Sequence, residues 1–117
     1  MAVSAARSLT LLLGTGASDG ATVAALRLAD EAASRGHRVA VFAYGAGTAV
    51  SARGAATAGA VEALVRRGVH GGLVSWVADA DVVAARAATQ VPGAVHGDRS
   101  DLWRLVREAD VVLGVPS

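Results

Sequence analysis

Three groups of residues in this 117-residue chain are of types that do chemistry. Gly14-Thr15-Gly16-Ala17-Ser18-Asp19-Gly20 has the composition of a phosphate cradle. Ser75, His96 and Asp98 are the side-chain types of a hydrolase triad, and His37, His70 and His96 offer imidazoles to a metal. Each group fails on spacing. Gly14, Gly16 and Gly20 are two and four residues apart, whereas a dinucleotide turn spaces its glycines at two and three. Such a turn also wants an acidic residue at the end of the second strand, where this chain has Tyr44-Gly45. A P-loop needs a lysine to reach the phosphates, and every basic residue here is Arg. Asp19 at a helix start repels phosphate but caps amide hydrogens well, so the loop reads as a turn and N-cap. Ser75 lacks the glycines of a nucleophile elbow, and His96 and Asp98 are only two residues apart. The histidines have no ligand spacing and no Cys to help them, so neither a metal nor a cofactor is expected.

Bulk properties narrow the remaining classes. The length suits one hydrophobic core, so residues 1–117 read as a single domain. Hydrophobic residues make up 53% and aromatic residues 3%, which predicts a core of Ala, Val and Leu with few stacking platforms. Trp76 and Trp103 stand alone and read as packing or interface residues. The net charge is +1 and the arginines alternate with acids, so no nucleic-acid partner is expected. The apolar run Leu9–Leu13 is too short for a signal-peptide core, and no segment reads as a membrane span. A soluble cytoplasmic protein is expected.

The elements that must position any site follow from pattern. Ser8–Gly14 reads as a buried strand, and Ala21–Gly36 as a helix with Val23, Leu26, Ala29 and Ala33 on one side. Arg27–Glu31, Glu31–Arg35 and Glu62–Arg66 have the spacing of helical ion pairs. His37–Gly45 reads as the second strand, and Ala46–Gly59 as a small-residue segment with a mobile loop. Ala60–Gly68 reads as a short helix stopped by Gly68. A strand at Val69–Val77, a helix at Asp79–Thr89, a short strand at Val91–Gly97, a helix capped by Ser100 and a strand at Asp110–Val115 complete the chain. This alternation predicts a three-layer α/β/α domain around a mostly parallel five-stranded sheet. Ligands in such sheets collect at the carboxyl ends of the strands, which selects loops 15–19, 44–53, 75–81 and 96–98.

Together these elements carry a resemblance. Ala25-Leu26, Leu28-Ala29, Ala32, Gly36-His37, Val39, Val41-Phe42, Gly45 and Gly47 resemble the opening helix–strand unit of the DsrE/DsrF-like family, which includes the TusD, TusC and TusB sulfur-relay subunits. Val61–Ala80 and Leu102–Val115 resemble its later elements, so the likeness spans nearly the whole chain. It implies a DsrE-like fold and a dimer, trimer or hexamer, built with itself or with DsrE-like paralogues. A sulfur-carrier protein is a further implied partner. Active members carry a persulfide-forming Cys at the turn after the third strand. Ser75 is read as standing at or near that position, with Ala78 where a second Cys sometimes appears. A hydroxyl cannot carry sulfane sulfur, so the resemblance implies a non-catalytic supporting subunit. The implied pocket is lined by Thr15, Ser18, Tyr44, Ser75 and Trp76, with Arg53 reaching in from the middle loop toward an anionic or sulfur-bearing ligand. The competing reading is a flavodoxin-like module that binds a nucleotide or another small ligand.

Overall fold

The computed structural model describes residues 7–71, 73–86 and 89–116, with residues 68–71 described by their backbone alone. Strands β1 (Ser8–Leu13), β2 (Arg38–Ala43), β3 (Val74–Asp79), β4 (Val95–Gly97) and β5 (Val111–Val115) alternate with helices α1 (Gly20–Ser34), α2 (Ala58–Gly71), α3 (Ala80–Arg86) and α4 (Arg99–Glu108). The strands form one sheet in the order β4-β3-β2-β1-β5, and every neighbouring pair is parallel. This is the expected α/β architecture.

Strand alternation sends two different sets of side chains to the two faces. Leu11, Leu13, Val39, Val41, Val74 and Trp76 pack beneath α1 and α2, joined by Val61, Leu64 and Val65 of α2. On the other face Phe42 and Val77 pack with Leu105, and Leu12, Ala40 and Leu102 border them. Each large side chain removed from water stabilises the fold by about 1.5–3 kcal/mol, so the first face contributes most of the burial energy.

Helix α1 meets the sheet through Thr22, Ala25, Ala29, Ala32 and Ala33. Of the expected stripe, Ala29 and Ala33 are buried and Leu26 packs against the same core, while Val23 is 42% exposed. Four of the five buried positions are alanines, which let the helix lie close to the strands. Gly36, at φ +86°, lets the chain leave the helix, and the His37 amide donates to the Ala32 carbonyl at 3.0 Å.

Several boundaries and one loop differ from expectation. Helix α2 runs through Gly68 to Gly71, and β3 begins at Val74 instead of Val69. A glycine inside a helix costs only about 1 kcal/mol, too little by itself to stop one anchored by Val61, Leu64 and Val65. The middle segment is compact instead of looping freely. A 3₁₀ turn at Gly45–Ala49 is followed by buried Ser51, whose hydroxyl donates to Gln90 Oε1. Gln90 Nε2 donates to the Thr48 carbonyl at 3.2 Å, and Thr57 Oγ1 donates to the Val50 carbonyl at 2.6 Å. Backbone bonds Arg53 N–Thr89 O (2.7 Å) and Val91 N–Ser51 O (2.9 Å) tie the segment to the chain before β4.

Candidate functional site

The carboxyl ends of the strands hold two distinct features. The chain leaves β1, β2 and β3 on the side of α1 and α2, because right-handed crossovers in one direction across a sheet share a face. It leaves β4 in the opposite sense, through α4, to reach β5 beside β1. The connections therefore diverge between β3 and β4, the place where open α/β sheets form their ligand crevice.

A cleft of about 380 Å³ lies there, lined by Asp79, Ala80, Asp81 and Gly97–Ser100. Two of its carboxylates, Asp79 and Asp98, are engaged at helix starts. Asp79 Oδ1 accepts from the Asp81 amide at 3.0 Å. Asp98 Oδ1 accepts from the Ser100 and Asp101 amides at 2.9 and 3.2 Å, while Asp101 Oδ2 accepts from the Asp98 amide at 2.9 Å. This reciprocal arrangement is a capping box, and it makes Asp98 the N-cap in place of the expected Ser100. The Asp101 amide, followed by contacts with Ser100, holds the Asp98 carboxyl below its ordinary value of 3.8. With Asp79, Asp81 and Asp98 at its wall against Arg99, the cleft is acidic on balance and offers little to an anion.

The second feature is the mouth between β1 and β2. Gly14 lies under the Tyr44 ring, so a Cβ there would come within 2.6 Å of the ring's Cζ. Thr15 is buried, and its Oγ1 is 2.6 Å from that of Thr22. Thr22 spends its proton on the Gly16 carbonyl at 2.7 Å, so Thr15 is the donor of the pair. Asp19 Oδ1 accepts from the Ala21 amide at 2.8 Å, as an N-cap does. At the ends of this loop the Gly14 amide donates to the Val115 carbonyl at 2.9 Å and the Asp19 amide to the Gly16 carbonyl at 3.2 Å.

These positions divide the six pocket residues inferred from sequence. Thr15 and Tyr44 share the β1/β2 mouth, and exposed Ser18 follows in the same loop. Arg53 is exposed on the segment that follows the 3₁₀ turn. Trp76 is wholly buried beneath α1 and α2, and its indole N–H has no partner. Ser75 is the second residue of β3, paired in register with Ala40, and it opens onto the other face. The turn after β3 is therefore Asp79-Ala80, four residues beyond Ser75. Strand β3 runs to Asp79, two residues past the expected end at Val77, and this moves the turn away from Ser75. Asp79, Asp81 and Asp98 carry much of the cleft, and the Asp98–Asp101 spacing of a capping box was the sequence signal for part of it.

The remaining chemistry-bearing residues are separate. His37 Nδ1 accepts from the Arg7 amide at 3.2 Å, and exposed His96 lies on β4. The His70 side chain lies outside the described residues. Among the described residues no group of three metal-ligating side chains converges, and no helix is long and apolar enough to cross a membrane.

Sheet order, parallel register and helix placement define an α/β protein with a DsrE-like fold. Among solved structures, the chain is similar to the YchN protein from E. coli, with a TM-score of 0.75 over 93% of this chain and 99% of that one. Their sequence identity is 13%, so the likeness is one of fold. No family model and no curated protein matches the chain.

Proposed function

We propose that this chain is a non-catalytic supporting subunit of an intracellular, DsrE-like sulfur relay, acting through assembly. One observation carries the reading: on a DsrE-like fold, the turn after β3 reads Ala78-Asp79-Ala80, and the 117 residues include no Cys. A carboxylate cannot form a persulfide or exchange sulfur, because both reactions run through a thiolate. Sulfur transfer therefore needs a thiol from another protein, either a Cys-bearing DsrE-like paralogue or a sulfur-carrier protein. Assembly with further copies of this chain belongs to the same reading.

The surface offers a place for such contacts. Strand β5 is at the sheet edge, with Val111, Val112 and Leu113 exposed at 43%, 38% and 41%. Within Val111–Val115 it carries no charge or proline of the kind that protects an open edge. Trp103 of α4, 62% exposed, adds an aromatic surface outside that strand.

Native mass spectrometry of the untagged protein, purified gently from its source, tests the proposal. The expected result is an oligomer that includes a Cys-bearing chain, and added thiosulfate-derived sulfane sulfur should reside on that chain. A monomer carrying a flavin or nucleotide would overturn it in favour of the flavodoxin-like reading.

A further inference from the structure

The sheet face under α4 changes character along its strands. Near the carboxyl ends, Leu12, Phe42 and Val77 form an apolar floor for Leu102 and Leu105. One pleat earlier the same three strands carry Thr10, Ala40 and Ser75 side by side. These small residues leave a groove of about 410 Å³ between α4 and the amino ends of β1–β3. That volume falls within the range of small-molecule pockets.

Hydrogen-bond donors are concentrated along this groove, which is lined by Ser8, Thr10, Arg38, Ser75, Arg104 and Glu108, among others. Ser8 and Thr10 are already engaged: Ser8 Oγ donates to the Glu108 carbonyl at 2.9 Å, and Thr10 Oγ1 to the Leu105 carbonyl at 3.1 Å. Ser75 is exposed to the groove, and Arg38 makes no ion pair among the described residues. Arg104 reaches Asp101 and Glu108 only at 3.6 Å each, and its side chain is 50% exposed. Those contacts are longer than the roughly 2.7–2.9 Å of a strong charge-assisted bond, so a better-placed oxyanion can compete for the guanidinium. Among the described residues that line the groove, Glu108 is the one carboxylate, against two arginines.

We propose that this groove binds a small organic oxyanion, with Arg38 and Arg104 holding a phosphate-type head, Ser75 donating a hydrogen bond, and Ala40, Leu73 and Leu105 receiving an apolar stem. It lies at the amino ends of the strands, opposite the acidic cleft, and it does not depend on the sulfur-relay reading. The two guanidiniums select the anion, and the small floor limits the size of the body attached to it.

Amide chemical-shift titrations with phenyl phosphate and with inorganic phosphate, at constant ionic strength, test this. Phenyl phosphate is expected to saturate shifts at Ala40 and Ser75 and to bind about tenfold more tightly than inorganic phosphate, through its apolar stem. Arg38→Ala should weaken phenyl phosphate binding about tenfold or more, and Ser75→Ala about threefold to tenfold. Arg53→Ala, at the other end of the sheet, should leave it unchanged. Both groove residues are exposed, so retained dispersion in the variant spectra separates lost binding from lost fold. Non-saturating shifts, equal affinity for the two probes, or binding indifferent to Arg38→Ala would overturn the proposal.

Discussion

The two faces of the sheet solve different problems with the same strands. Under α1 and α2 the inward residues are apolar, Trp76 is fully buried, and alanines bring α1 close. Under α4 three small residues lie in a row, a groove remains open, and β5 is exposed on both sides. The first face specifies the fold. The second keeps surface available for a ligand or a partner at the expense of burial.

The contrast is broken most strongly at Trp76. Trp76→Ala should cost about 3–5 kcal/mol in urea unfolding, since a large cavity opens in the dense face. Trp76→Phe should cost much less, because the indole N–H has no hydrogen-bond partner to lose. Equal losses in the two variants would mean that the indole N–H contributes more than its surroundings suggest.

Leu105→Ala examines the thinner face and should cost about 2–3 kcal/mol, near the lower end for a buried leucine, because its cluster is small. A cost matching that of Trp76→Ala would erase the distinction between the faces. The contribution of Trp103 to monomer stability should be smaller still: Trp103→Ser should fall within about 0.5 kcal/mol of the parent and reduce assembly.

The smallest effect is expected at the start of α4. Asp98 has a folded-state carboxyl value below 3.8, so its capping contribution is fully present above that pH and is lost as pH falls through the folded value. Asp98→Asn should keep a neutral cap and remove this part of the acid sensitivity, read by circular dichroism between neutral pH and acid. An unchanged acid profile would assign the sensitivity to other carboxylates.

Much of the architecture was legible because its signals are local. Apolar runs bounded by glycine gave β1 and β2, while Asp19 and Gly36 bracketed α1. The α1 face was legible at Leu26, Ala29 and Ala33 and misread only at Val23, because amphipathic spacing favours a large apolar residue where close approach to the sheet favours alanine. Gly68 suggested a helix stop, but tertiary packing outweighs a single glycine penalty. That error moved the start of β3; the position near the turn that the resemblance gave to Ser75 belongs to Asp79, because the strand runs two residues past Val77. The partnership of Ser51 with Gln90 joins positions 39 residues apart and leaves no local periodic signature. The groove was equally hidden, since it requires Thr10, Ala40 and Ser75 to be brought into register from three strands.

The two tryptophans also give the molecule separate optical reporters. Trp76, sealed in an apolar interior, should emit at short wavelength and shift red only when the whole domain opens. Trp103, in contact with water, should emit at long wavelength and shift blue when another surface covers it. Single-tryptophan variants would therefore let folding and association be followed by emission colour in the same protein.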